Sequence, residues 1–374
     1  LRKILFVIPS LGGGGAERIL VDLLNKIVSL DTENRYSISV FSITGGVLES
    51  QLSEKIKIIK ILKNSSFTSW KFKAIKIFLR LISPKMLRNI LRLKIKEKYD
   101  TEVAFLEGFP IKYISKSLSE KIGWIHTDLD NYNYCKNYFL NKKQETRIYS
   151  EIDRLAFVSS NSKAGYIKYF NLEKNSELKD KLFTLENPID IDRVENLAKR
   201  DCDITDKFIC SVGRLSHEKG YDRLIDAFSK INSENLKLVI VGSGPLKTKI
   251  LELIKEKKLE EKIIIIPFTD NPYIYIANAE FFISSSRVEG YPTVVTEALI
   301  LKKPVVSTRT GAASILKEGK YGLLVDNSTE GIYSGIKRMV YEKEDYLLKS
   351  LDIYINVKNE NKQKLDKILS FLNL

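Results

Sequence analysis

The chain has 374 residues, more than one hydrophobic core usually serves, so two domains are expected. Hydrophobic residues make up 44% and charged residues 29%, which excludes a disordered chain, and no run approaches the roughly 20 apolar residues of a membrane span. The net charge of +14 is uneven: residues 1–187 hold 32 Lys and Arg against 20 Asp and Glu, residues 188–374 hold 29 against 27, so the first half is expected to face something anionic.

Both halves alternate short apolar runs with longer helix-like segments. The runs Lys3–Pro9, Tyr36–Ser42, Glu102–Leu106, Gly123–His126, Leu155–Ser159 and Leu182–Leu185 are rich in β-branched or aromatic residues, as buried parallel strands are. Lys207–Gly213, Leu236–Val241, Lys262–Pro267, Phe281–Ser284, Pro304–Ser307 and Gly322–Val325 repeat the pattern, with helices expected over Tyr221–Ile231 and Pro292–Leu301. This predicts an α/β protein of two doubly wound, Rossmann-like domains, 1–187 and 188–346, joined at Glu186-Asn187-Pro188. A helical tail, 347–374, is expected to pack across them, with ligand in the cleft between strand ends. Leu1–Pro9 is too short for a signal core, and Cys135, Cys202 and Cys210 are too scattered for disulfides or zinc, so a cytosolic chain is expected.

Four constellations carry chemistry. Gly12-Gly13-Gly14-Gly15-Ala16-Glu17-Arg18 lies between a strand and an apolar-periodic segment, where free amides can approach an anion at a helix's positive end. It matches neither a dinucleotide fingerprint nor a Walker loop, and taken alone is equally a tight turn without a ligand. In Gly123-Trp124-Ile125-His126-Thr127-Asp128, His126 ends a strand, a place open to a structural or a functional histidine. Gly213 to Gly220 encloses Arg214 and Lys219, a fork and a point charge suited to a diphosphate, or else two solvated surface cations. Glu289-Gly290-Tyr291-Pro292-Thr293-Val294-Val295-Thr296-Glu297 sets one carboxylate in a loop and a second a turn into a helix. Paired carboxylates suit vicinal hydroxyls of a sugar and a ribose; Glu297 alone could be a helix-surface residue.

Trp70–Lys98 has ten basic residues and one acid, Glu97, with apolar positions at helical spacing and Ser83-Pro84 between two helices as a cap and first-turn proline. Arg88, Arg92 and Lys96, four residues apart, predict one basic stripe suited to an anionic bilayer or a pyrophosphate headgroup. The alternative is a core-packed helix with a solvated cationic face.

Together these motifs resemble the retaining GT-B glycosyltransferases of family four, and the likeness extends to Asn187-Pro188-Ile189-Asp190, Val241-Gly242-Ser243-Gly244-Pro245 and Phe268-Thr269-Asp270-Asn271-Pro272-Tyr273. The resemblance implies that Arg214 and Lys219 hold the donor's diphosphate, Glu297 the ribose, and Glu289 the transferred sugar with His126 beside it. It further implies that Gly290 and the amides of Thr293 and Val294 meet the distal phosphate region, Phe268 and Thr269 the base, and Gly14 and Gly15 donor and acceptor. Glu17 and Arg18 are grouped with Arg88, Arg92 and Lys96 on the acceptor and membrane side. The resemblance also implies a metal-independent enzyme with no cofactor beyond its nucleotide-sugar co-substrate, and in keeping with this no Asp-x-Asp is placed to hold a divalent ion. The expected reaction is transfer of a hexose or N-acetylhexosamine, with retention, from a UDP-sugar to a lipid-pyrophosphate-linked glycan. The enzyme would work as a peripheral protein at the cytoplasmic membrane face. Alternatives are a GDP-mannose-dependent mannosyltransferase and, in another class, a non-catalytic module binding nucleotide-sugar or nucleic acid; the basic segment lacks the periodic aromatic platform that bases would need.

Overall fold

The computed structural model describes residues 1–62, 69–172, 180–232 and 235–374, without the side chains of 69–73. Trp70, Lys71, Phe72 and Lys73 of the basic segment therefore lie outside the described side chains. The chain divides into two units, Leu1–Asn187 with Phe371–Leu374, and Pro188–Ser370.

The first unit contains seven strands among its described residues, β1 Arg2–Ile8, β2 Tyr36–Thr44, β3 Lys57–Leu62, β4 Thr101–Ala104, β5 Glu120–Ile125, β6 Arg154–Phe157 and β7 Leu182–Thr184. They pair in parallel in the order β3-β2-β1-β4-β5-β6-β7. Its helices are α1 Gly15–Leu30, α2 Ser69–Leu81, α3 Pro84–Arg92, α4 Phe109–Ile114, α5 Lys142–Ser150 and α6 Ser160–Tyr169. Ile4 to Ile8 of β1 are wholly buried, as expected for a central strand covered on both faces. α1 buries Ile19, Leu20, Leu23, Leu24 and Ile27, the apolar-periodic side of its sequence.

The second unit contains α7 Ile191–Ala198, β8 Lys207–Val212, α8 Tyr221–Phe228, β9 Leu236–Val241, α9 Lys247–Glu256, β10 Ile263–Ile266, α10 Tyr273–Asn278 and β11 Phe282–Ser284. Then come α11 Thr293–Ile300, β12 Val305–Thr308, α12 Ala312–Ile315, β13 Leu323–Val325, α13 Thr329–Leu348 and α14 Ser350–Leu372. Its parallel sheet runs β10-β9-β8-β11-β12-β13, the same winding as the first. Both units are thus Rossmann-like, with strand order reversing between β1 and β4 and between β8 and β11.

The tail does not begin at residue 347, because α13 continues through Leu348. On the second unit the Asn361 side chain of α14 accepts from the Ile189 amide at 2.7 Å and donates to its carbonyl at 2.8 Å. The last turn belongs to the first unit, where the Phe371 ring lies 4.5 Å from the Arg154 guanidinium and 6.5 Å from Trp124.

One strand, β3, was not expected from the sequence. Its Lys57 and Lys60 interrupt the apolar run, a composition typical of an edge strand; Lys57 pairs with Glu97, and Lys60 with Glu49 at 2.6 Å. Glu97, the acid of the basic segment, is also bonded by Lys3 at 2.8 Å. These two lysine hydrogen bonds, Lys3's first, pull its pKa down to about 2.

The basic stripe needs correcting. Ser83 caps α3 by accepting from the Met86 amide at 3.2 Å, with Pro84 in the first turn. Arg88, however, turns inward: its guanidinium forks onto buried Glu102 of β4 at 2.7 and 2.8 Å and donates to Ser117 at 2.9 Å. α3 ends at Arg92, so Lys96 is not on the same helix. A fourfold spacing cannot tell an outward arginine from one claimed by a carboxylate on a neighbouring strand. The described outer surface of α2 and α3 instead exposes Ile77, Phe78, Leu81, Met86 and Ile90, with Leu93 just beyond, among exposed Arg80, Lys85, Arg92, Lys94 and Lys96.

Breaking a buried pair strands a charge, so Arg88→Gln should cost about 3 kcal/mol of stability. Arg92→Gln, on an exposed residue, should cost less than about 0.5 kcal/mol. Urea denaturation midpoints of the two variants check this contrast; equal midpoints would mean that the Arg88–Glu102 fork contributes nothing.

Candidate active site

In a doubly wound sheet the carboxyl ends of the strands share one edge, and the crevice opens where strand order reverses. In the second unit that place lies between β8 and β11. The chain leaves β8 through Gly213 and Arg214, makes a short turn over His217–Lys219, and enters α8 at Gly220. Gly220 is left-handed, with φ of 66°, and a Cβ there would meet the Ser285 carbonyl at 2.4 Å, so the turn can lie against the β11 loop only as glycine. Ser285 donates its hydroxyl to the Lys219 carbonyl at 2.9 Å. This places the Lys219 ammonium on the Glu289 carboxylate, and Ser286 donates to the same oxygen at 2.8 Å. Lys219 is therefore no idle surface cation, whereas Arg214 is exposed.

Behind Glu289, Gly311 makes a second close approach. Its amide donates to the Glu289 carbonyl at 3.0 Å, and a Cβ there would meet the Gly290 carbonyl at 2.1 Å. Tyr291 is anchored from α14, where Lys364 donates to its hydroxyl at 2.7 Å. Pro292 caps α11, whose first residues, Thr293 and Val294, are half-buried and carry amides with no carbonyl in a preceding turn. Glu297 is buried, which excludes the helix-surface alternative; it meets the Tyr273 hydroxyl at 3.3 Å, and Arg193 reaches that hydroxyl at 3.0 Å. Phe268, past β10, is half exposed, with its amide donating to the Ser243 hydroxyl at 3.0 Å; Thr269 accepts from the Asn271 amide at 3.1 Å.

The first unit's reversal lies between β1 and β4. The glycine loop follows β1, but the amides of Gly12 and Gly14 already face a carboxylate. Glu17 turns back into the loop, where its carboxylate accepts from Ser10 at 2.9 Å and from the amides of Gly12, Gly14 and its own residue. Burial, only partly offset by those bonds, raises its pKa. Arg18 bonds the Gln51 side chain. The loop bearing Gly14 and Gly15 thus encloses a carboxylate of its own, and Glu17 lies inside it rather than on an outer surface.

His126 follows β5. Its ring lies 4.9 Å from Phe105, and Nε2 meets no hydrogen-bond partner among the described residues. Burial pushes its pKa down to about 3, so the imidazole is neutral and can exchange single hydrogen bonds with a polar ligand.

The sequence singled out Arg214, Lys219, Glu289, Glu297 and His126 but not the residues packed around them: Ser286, Gly311, Tyr273, Arg193 and Lys364. Only the glycine, in Thr310-Gly311-Ala312, had a local signal; the rest are common residues whose partners lie far away in sequence. Among the described residues no three His, Cys, Asp or Glu side chains converge, and no helix is long and apolar enough to cross a membrane.

The glycosyl transferases group 1 family matches residues 192–348. Over 378 aligned residues the chain is 32% identical to a Campylobacter jejuni protein, N-acetylgalactosamine-N,N'-diacetylbacillosaminyl-diphospho-undecaprenol 4-alpha-N-acetylgalactosaminyltransferase, covering 98% of this chain and 97% of that one. The chain belongs to the glycosyl transferases group 1 family. It is a glycosyltransferase. A second relative from that organism is 25% identical, with 92% and 90% of the chains covered; it is a GalNAc-alpha-(1->4)-GalNAc-alpha-(1->3)-diNAcBac-PP-undecaprenol alpha-1,4-N-acetyl-D-galactosaminyltransferase. The fold of this transferase is similar to that of Anabaena HepE, solved with UDP and glucose, at a TM-score of 0.75 over 100% of both chains and 16% identity. That likeness identifies the architecture as GT-B.

A histidine buried neutral opposes acid stability. The unfolded chain takes up its proton near pH 6.5 and the folded chain only near 3, so this contribution is present above 6.5 and lost as pH falls toward 3. His126→Asn should therefore lose less melting temperature than wild type between pH 6.5 and 4. Parallel melting curves would show instead that His126 titrates normally.

Proposed function

We propose that this transferase moves an N-acetylhexosamine or hexose from a UDP-sugar, with retention and without a metal ion, to a glycan on a lipid diphosphate at the cytoplasmic membrane face. The observation that carries the donor half is the Lys219–Glu289 pair at the switch point between β8 and β11, with the α11 N-terminus following the same loop. A diphosphate arriving there competes with Glu289 for the Lys219 ammonium. Once Lys219 turns to phosphate, Glu289, still held by Ser286, is free to accept from sugar hydroxyls. Donor capture thus changes the partners of two charges already in place. N-Acetylgalactosamine is the favoured sugar because both curated relatives transfer it, and the lipid diphosphate is favoured because both act on undecaprenol-diphosphate-linked glycans.

In the reaction the anomeric bond to the distal phosphate loosens, negative charge grows on the diphosphate, and positive charge grows on the sugar ring. Arg214, Lys219 and the amides of Thr293 and Val294 stabilise the leaving group where that charge develops. Glu297 holds the ribose, Phe268 and Thr269 border the base, and His126 offers a neutral imidazole to the sugar. Glu289 is engaged by Lys219 and Ser286, which suits sugar binding rather than covalent attack. The acceptor hydroxyl then enters on the face the phosphate leaves, and that phosphate takes its proton.

Assayed in EDTA, wild type should retain its rate and be stabilised against heat by UDP-N-acetylgalactosamine more than by GDP-mannose. Arg214→Ala should lose roughly 100- to 1,000-fold in kcat/KM. Glu289→Ala should lose a similar factor in kcat while binding UDP as tightly as wild type or more so, since Lys219 is released. A parallel loss of UDP affinity in Glu289→Ala would move that residue out of the sugar subsite. Selective stabilisation by GDP-mannose would replace the donor.

The membrane half rests on the outward apolar and basic residues of α2, α3 and the segment just after α3. Changing Arg92, Lys94 and Lys96 together to Gln leaves the Arg88–Glu102 fork intact. It should weaken sedimentation with phosphatidylglycerol vesicles on the order of tenfold to a hundredfold at low salt. Unchanged sedimentation would leave this face without a membrane role.

A further inference from the structure

We infer that Glu107 is the positioning residue for His126, an inference that rests on the assignment of His126 to the transferred sugar. Glu107 stands just beyond β4, and its side chain is 1% exposed. Its Oε1 accepts from the His126 amide at 2.6 Å, the Thr127 amide at 2.6 Å and the Thr127 hydroxyl at 2.8 Å. Its Oε2 accepts from the Tyr134 hydroxyl at 3.2 Å. One oxygen bonding two consecutive amides fixes both peptide planes, so the chain leaving β5 turns at a set angle and carries the imidazole with it.

The next residue keeps the carboxylate in place. Gly108 has φ of 81°, and a Cβ there would meet the Tyr138 ring at 2.8 Å and Cys135 Sγ at 3.0 Å. The chain can therefore turn directly from Glu107 into α4 and leave the carboxylate against the end of β5.

The distribution of partners points to a role in the reaction rather than in stability alone. Four donors converge on Glu107, while Nε2 of the histidine they orient is left without one among the described residues. Backbone and ring are held by Glu107 and Phe105, and the buried Nε2 of the ring keeps no hydrogen-bond partner among the described residues. A carboxylate serves this arrangement well, since its two oxygens accept from all four donors.

A double-mutant cycle tests the inference, with turnover of UDP-N-acetylgalactosamine, or of the donor that heat stabilisation selects, as the kinetic readout and UDP as the binding probe. Glu107→Gln keeps the shape and a weaker acceptor; it should lower kcat roughly 10- to 100-fold by displacing the imidazole, with UDP affinity unchanged. In the His126→Ala background the same change should have no further effect, because two residues acting through one function are not additive. Should Glu107→Gln not fold, Thr127→Val removes only the hydroxyl contact. It should slow wild type by roughly twofold to fivefold, and His126→Ala not at all. Equal effects in both backgrounds, or a loss of UDP affinity matching the loss of kcat, would overturn the inference. Wild-type turnover in His126→Ala would instead remove the sugar role of His126 on which it rests.

Discussion

Everything that bears on function follows from one constraint of parallel sheets. Right-handed crossovers return each strand in the same direction, so all carboxyl ends share an edge, and the order reversals at β1/β4 and β8/β11 leave that edge uncovered. The glycine loop, Glu107 and His126 follow β1, β4 and β5; Arg214, Phe268 and Glu289 follow β8, β10 and β11. Residues hundreds of positions apart thereby lie on corresponding edges of two sheets with the same winding.

The carboxylates at these edges are engaged before any ligand arrives, and each is held differently. Glu17 closes on its own loop, Glu107 on the amides of the next strand's exit, Glu289 on Lys219 and Ser286, and Glu297 meets Tyr273. An ion pair between two side chains can exchange partners with a diphosphate, because the ligand replaces one anion by another. Amides bonded to a carboxylate in the same loop are less easily released. Lys219 is thus better placed than the glycine loop to respond to an incoming anion.

Legibility varied with the range of the signal. All six strands among the second unit's described residues were predicted, since each is a short apolar run between turn residues. β3 was missed because its lysines belong to an edge, and edge strands lack the uninterrupted apolar signature of central ones. Arg88 was misplaced because helical spacing reports which residues share a face, not what that face meets. The proline cap at Ser83-Pro84 was legible, since its geometry is closed within four residues.

The sequence by itself determined the two Rossmann-like halves, the joint near Pro188 and the types and spacing of Arg214, Lys219, Glu289 and Glu297. Hydrophobic periodicity and glycine placement act over a few residues and need no knowledge of distant chain. Only the tertiary structure decided that Lys219 rests on Glu289, that Glu17 fills its own loop, that Arg88 faces Glu102 and that Glu107 fixes the turn bearing His126. Those are pairings between charged or polar groups brought together by strand order, and a buried group takes whichever partner the fold delivers to it.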